Sequence, residues 1–132
     1  MSNDSIYLSA ASLRNLSSLP GVTIGAHGYS HCRLINCNDE ELKNELDNSK
    51  KWLENCLSLS VNTMSYPHGS INQKVKDYAK LAGFKIACTS QFGTNNLSSD
   101  FLSLKRTDIW ANDKQSIFNS KIRGDWDWMR WV

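Results

Sequence analysis

Apolar positions along this chain follow two alternating rhythms, one near the 3.6-residue period of a helix and one of short β-branched runs, and together they predict the order of elements. Leu13, Leu16 and Leu19, with Ser9 as a candidate N-cap, predict a short helix that must stop by Pro20. Val22–Ala26 is compact, β-branched and bounded by Gly21 and Gly28, the pattern of a buried strand. Asn38 followed by Asp39, Glu40 and Glu41 supplies a cap and negative charge at a helix start, and Leu42, Leu46, Leu53 and Leu57 continue the period, so a helix is predicted over Asp39–Leu57.

The same alternation continues to the end of the chain. Val61–Tyr66 predicts a second strand, Asn72–Ala82 a helix closed by Gly83, Phe84–Thr89 a third strand and Leu104–Ile109 a fourth. Asn112 is the expected cap of a last helix running to about Ile122 and stopped by Gly124, and Ser90–Ser103 is the expected loop. Strands separated by helices imply parallel pairing, hence an α/β sheet or part of an α/β barrel, and 132 residues with 40% hydrophobic content suit one domain spanning 1–132.

Charge adds exclusions rather than a function. Fifteen basic and thirteen acidic residues of scattered sign give +2, with no basic patch for nucleic acid. No window approaches the ~20 apolar residues of a membrane span. Met1–Leu8 has neither the basic start nor the apolar core of a signal peptide, so the chain reads as soluble. Cys32, Cys37, Cys56 and Cys88 form no disulfide framework; free buried thiols are expected, with Cys56 and Cys88 in apolar segments.

Candidate chemistry sits where strands end. His27 and His31 follow the first predicted strand and His68 the second, and parallel strands gather ligand sites at their C-terminal ends. The i, i+4 spacing of His27 and His31 would put both imidazoles on one side of a helical turn, able to share a metal ion; the alternative is two loop histidines that only form hydrogen bonds. Tyr66-Pro67-His68-Gly69 predicts a sharp turn that either aims the His68 amide at an oxyanion or simply leads into the next helix. A rival grouping of His27, His31, Cys32 and Cys37 as structural zinc ligands fits poorly, because the two pairs run together without a spacer. Four of the five tryptophans fall in Trp110–Trp131, either a sugar-stacking surface or rings that cover the sheet.

In this order the motifs Val22-Thr-Ile-Gly-Ala-His27-Gly-Tyr-Ser-His31, Ser65-Tyr-Pro-His-Gly69, Lys80-Leu-Ala-Gly-Phe84-Lys-Ile-Ala87 and Leu104-Lys-Arg106-Thr-Asp108 resemble the polysaccharide deacetylase family, the NodB homology domain of carbohydrate esterase family 4. The likeness runs from about Ile6 to Trp128. It implies a deformed (β/α) barrel that removes N-acetyl groups from the amino sugars of a polysaccharide with a divalent metal ion, zinc being the expected one. His27 and His31 would be metal ligands, Pro67 and His68 the groove turn whose amide contacts the oxyanion, and Arg106 a late-strand residue that orients acidic groups. Tyr66 and Trp110 are the expected sugar contacts.

The sequence departs from that family at definite places. The family carries an Asp-Asp pair ahead of its histidines, supplying a third ligand and a base; here only Asp4 precedes His27. Ser65 stands where an arginine is often found, and no late Leu-x-His segment follows. The expectation is therefore an N-terminally incomplete domain, whose barrel and catalytic base an upstream fragment would complete, or else a non-catalytic carbohydrate-binding or interaction relative of the same fold.

Overall fold

A computed structural model describes residues 7–125. Four α-helices and three strands follow one another along them: α1 (Ala10–Ser17), α2 (Asp39–Leu57), β1 (Thr63–Ser65), α3 (Gln73–Leu81), β2 (Ile86–Phe92), β3 (Leu104–Arg106) and α4 (Gln115–Arg123). Short 3₁₀ turns occupy Leu34–Asn36 and Pro67–Gly69. The strands form one parallel sheet in the order β1-β2-β3, with α3 carrying the crossover from β1 to β2 and a loop the one from β2 to β3.

The caps explain where the helices begin. The Ser9 side chain accepts from the Ser12 amide at α1. At α2, Asn38 and Glu41 close a reciprocal capping box, each side chain accepting from the other's backbone N–H at 2.9 Å. Leu42, Leu46 and Leu57 of this helix are buried together with Met64, Val75, Ala79, Phe84 and Ala87. Each fully buried leucine contributes roughly 1.5–3 kcal/mol, which fixes α2 over the sheet that carries the site.

Several boundaries differ from the sequence expectation, each for a local reason. The Val22–Ala26 segment makes only one parallel bridge, Ala26 to Met64, closed by Ala26 N–H to Thr63 O and Ser65 N–H to Ala26 O, both 2.9 Å. Its ladder cannot outrun its neighbour, because β1 spans only Thr63–Ser65 of the expected Val61–Tyr66. Phe84 is not in β2. Its N–H bonds back to Ala79 O while Gly83, at φ 87°, donates to Lys80 O, so both residues close α3 in a Schellman-type motif. In exchange β2 runs on to Phe92, taking Ser90–Phe92 from the expected loop.

At the far end, β3 stops at Arg106 instead of Ile109. Asn112 does not cap α4: the N-cap is Lys114, without a side-chain bond, and Asp113 instead accepts from Trp110 N–H at 2.9 Å and pairs with Lys121 at 2.7 Å. Gly124 ends that helix in the left-handed region, as expected. All four cysteines are free and half-buried rather than buried. No helix among the described residues is long and apolar enough to cross a membrane. Trp126, Trp128 and Trp131, which carry most of the aromatic terminus, lie outside the described residues, as does Asp4.

Candidate functional site

Three histidines meet at the C-terminal end of β1. The ring centroids of His27 and His31 are 4.9 Å apart, and those of His31 and His68 are 4.6 Å apart. All three are exposed. Their meeting does not arise from a helical turn, as the i, i+4 spacing suggested: the His27–His31 segment is irregular and contains no backbone–backbone hydrogen bond of its own. Instead, Gly28 at φ 73° and His31 at φ 61° fold it back. Tyr29 and Ser30 both donate their backbone N–H to Glu45 Oε2 on α2, each at 2.9 Å.

The second loop answers the first. His68 sits at φ 57° and ψ 16°, and its Nε2 lies 3.2 Å from His31 O. Two non-glycine residues in the left-handed region within one site is the kind of stored strain that a surrounding framework must hold. Here the framework is visible. Pro67 is buried against Gly28, where an added Cβ would stand 3.0 Å from Pro67 Cγ, and Gly69 at φ 62° lies so close to Ser90 that an added Cβ would come within 2.9 Å of its backbone N.

His27 is oriented from β1. Its Nδ1 lies 2.8 Å from both Ser65 O and Ser65 Oγ, which leaves Nε2 as the ring's outward atom. Where Nδ1–H donates to the carbonyl, Nε2 keeps the lone pair that a metal ion needs. Two neutral imidazoles side by side suit a divalent ion of the zinc type, so the donor set fits as two ligands of such a centre. It is not a complete one: among the described residues, no group of three or more His, Cys, Asp or Glu side chains comes together closely enough to hold a metal. The same finding disposes of the rival zinc module. Cys32 and Cys37 approach each other at 3.4 Å but do not combine with the histidines.

The remaining site candidates separate. Tyr66, expected to touch sugar, is wholly buried, and its hydroxyl donates to Leu102 O at 2.8 Å; burial pushes that phenol's pKa upward. An inward tyrosine is a core residue because β1 alternates faces, and Met64 and Tyr66 share the buried side. Arg106 lies on β3, with β2 and β1 between it and Ala26, and its Nε donates to Thr89 O at 2.7 Å. Among the described residues no carboxylate pairs with it. Trp110 is 64% exposed on the loop before α4.

Sequence reasoning passed over Glu45 and Ser65 as functional candidates. The pattern of α2 does not single Glu45 out, because Asp47 flanks the buried Leu46 on its other side. Burial raises the pKa of its carboxyl, but the hydrogen bonds from Ser30, Tyr29 and Cys32 outweigh this and hold it below the ordinary carboxylate value.

The fold has known counterparts. The deacetylase PplD of Streptococcus pyogenes, solved in complex with acetate, superposes with a TM-score of 0.82 at 20% identity over 90% of this chain and 52% of that one. A polysaccharide deacetylase from Bacillus cereus gives 0.79 at 23% over 91% and 38%, and a de-N-acetylase from Aggregatibacter actinomycetemcomitans 0.71 at 15% over 88% and 53%. At such identities these likenesses establish the fold, that of the parallel α/β deacetylase barrel, of which this chain spans about half or less of each neighbour's length. No curated protein matches the sequence. The family pattern described as polysaccharide deacetylase matches residues 11–87, which hold His27, His31, Pro67 and His68 and make up more than half of the chain; the chain therefore belongs to the polysaccharide deacetylase family.

Proposed function

We propose that this chain carries the paired-histidine half of a metal-dependent hydrolase centre that removes N-acetyl groups from the amino sugars of a polysaccharide. The observation that supports this reading is the pair of imidazoles, His27 and His31, 4.9 Å apart at a strand exit, with His27 Nδ1 engaged by Ser65. His27 and His31 would hold the ion, zinc by the nature of the donors, and the ion would supply positive charge to polarise an amide carbonyl and acidify water.

The chain's own residues would do the rest of what is available here. The backbone N–H of His68 has no acceptor among the described residues and stands on a turn fixed by Pro67 and Gly69, as an oxyanion donor must. Trp110, exposed on the loop between β3 and α4, would offer a stacking face to a sugar ring. Arg106 would act only through acidic groups that it does not meet among the described residues. A carboxylate base and third ligand would come from outside this set, so the reading assigns hydrolysis to a completed barrel and expects the isolated chain to be inactive.

A second reading, a carbohydrate-binding relative without catalysis, is favoured by one observation: no carboxylate joins the imidazoles among the described residues. The two readings part on metal. Zinc titration of wild type, His27→Ala and His31→Ala should show uptake that each substitution weakens at least about tenfold. Binding of an N-acetylated oligosaccharide that is indifferent to chelator, with no zinc uptake, would leave only the second reading.

A further inference from the structure

The His27–His31 turn has no backbone–backbone hydrogen bond within it, yet it holds two rings 4.9 Å apart with His31 in the left-handed region. A strained exposed loop does not keep such a shape unaided. The two amide donors at its centre, Tyr29 and Ser30, converge on a single oxygen, Glu45 Oε2, at 2.9 Å each. Glu45 projects from α2, whose position is set by buried Leu42 and Leu46 on either side. Gly28 has no side chain to obstruct the approach: a Cβ there would lie 3.4 Å from the same carboxylate oxygen.

We propose that Glu45 is a positioning residue, a carboxylate that replaces the missing backbone acceptors of the turn and so sets the separation of His27 and His31. The geometry is that of an anion cradled by successive backbone N–H groups, with the anion supplied by the neighbouring helix. Charge-assisted bonds of this type are stronger than neutral ones, and two of them on one oxygen give the turn a hinge point on a rigid element. Removing the acceptor releases Tyr29 and Ser30 together, and the imidazoles lose their fixed spacing. The effect on metal rests on the proposed function above; the effect on the turn does not.

The test uses the whole chain and the substitution Glu45→Met, which keeps side-chain length and helix propensity but offers no acceptor oxygen. Amide hydrogen exchange, read without metal, should accelerate at least about tenfold at Tyr29 and Ser30 while the amides of Leu42 and Leu46 stay protected. Zinc affinity measured by calorimetry should fall roughly tenfold or more, and Glu45→Gln, which retains one acceptor oxygen, should recover to within about threefold of wild type. Unchanged exchange at both amides in Glu45→Met overturns the proposal. Acceleration at both amides in Glu45→Met, beside a wild-type chain that takes up no zinc, upholds the clamp and defeats the metal reading instead. Should Glu45→Met fail to fold, the wild-type chain decides: protection of the Tyr29 and Ser30 amides well above that of an open loop supports the clamp, and exchange there as fast as in an open loop sinks it.

Discussion

His27 Nδ1 faces two oxygens of one residue, the carbonyl and the hydroxyl of Ser65, both at 2.8 Å. The direction of the bond decides whether the ring is ready for a metal ion. If Nδ1–H donates to either oxygen, Nε2 carries a lone pair; if the hydroxyl donates to Nδ1, Nε2 carries the proton. Ser65 thus holds a tautomeric choice for the His27 ring.

Substituting Ser65→Ala removes the competing donor and keeps the carbonyl. Zinc affinity is expected to stay the same or rise by up to about tenfold, as suits a partner that orients a ligand. Calorimetric titration beside wild type checks it, and a tenfold loss would mean that the hydroxyl, not the carbonyl, sets the ring.

Gly69→Ala should damage both the fold and the site. Its φ of 62° is strained for alanine, and the new Cβ would meet Ser90 Oγ at 1.8 Å and the Ser90 backbone N at 2.9 Å. The expected loss is about 2–4 kcal/mol from backbone strain and overpacking together. Because backbone as well as side chain obstructs, the double substitution with Ser90→Gly should recover only part of it, as urea unfolding would show.

Leu46→Ala tests the α2 anchor. The side chain is fully buried, so about 2–5 kcal/mol should be lost in chemical unfolding. Glu45 sits next to it on the same turn, and protection of the Tyr29 and Ser30 amides should decline in step.

Acid should weaken the molecule in a definite window. The Glu54 carboxyl is held below its ordinary value of 4.5 by the Val61 N–H and by Lys50, and Glu45 is also lowered from 4.5. Groups whose folded pKa is depressed contribute stability that is fully present above the unfolded value and fades as pH falls through the folded value. Urea midpoints should therefore be level above pH about 5 and decline toward pH 3. Glu54→Gln should flatten part of that decline.

Cys37 should respond in the opposite range. Burial, the bond with Cys32 and the nearby Glu41 and Glu45 push its thiol up to about 11. Alkylation of Cys37 by iodoacetamide should be slow at pH 8 and accelerate steadily toward pH 10.5, read by mass spectrometry of the labelled peptide.

Much of this fold was legible because its helices announce themselves. Asn38 with Glu41, and leucines at helical spacing, marked α2 at both ends, and Ser9 and Asn72 marked the starts of α1 and α3. The strands were less legible, since a strand's length is decided by its neighbour: Val22–Gly25 looks like a strand but finds no partner beside β1. Phe84 was misplaced because a helix-closing motif claimed it. At the site, the three histidines were identifiable from their order after strands. Their closeness was anticipated for the wrong reason, because a helical turn and a carboxylate-clamped loop can deliver the same spacing. Tyr66 was misread because adjacency to a groove motif says nothing about which face of the strand a ring occupies.

The flush contact of Gly69 with Ser90 makes the His68 corner an extension of β2 rather than a free loop. A corner seated that way cannot be redirected by itself. Changes of shape on this surface are then expected in its outer loops, such as the stretch around Trp110, rather than at the corner.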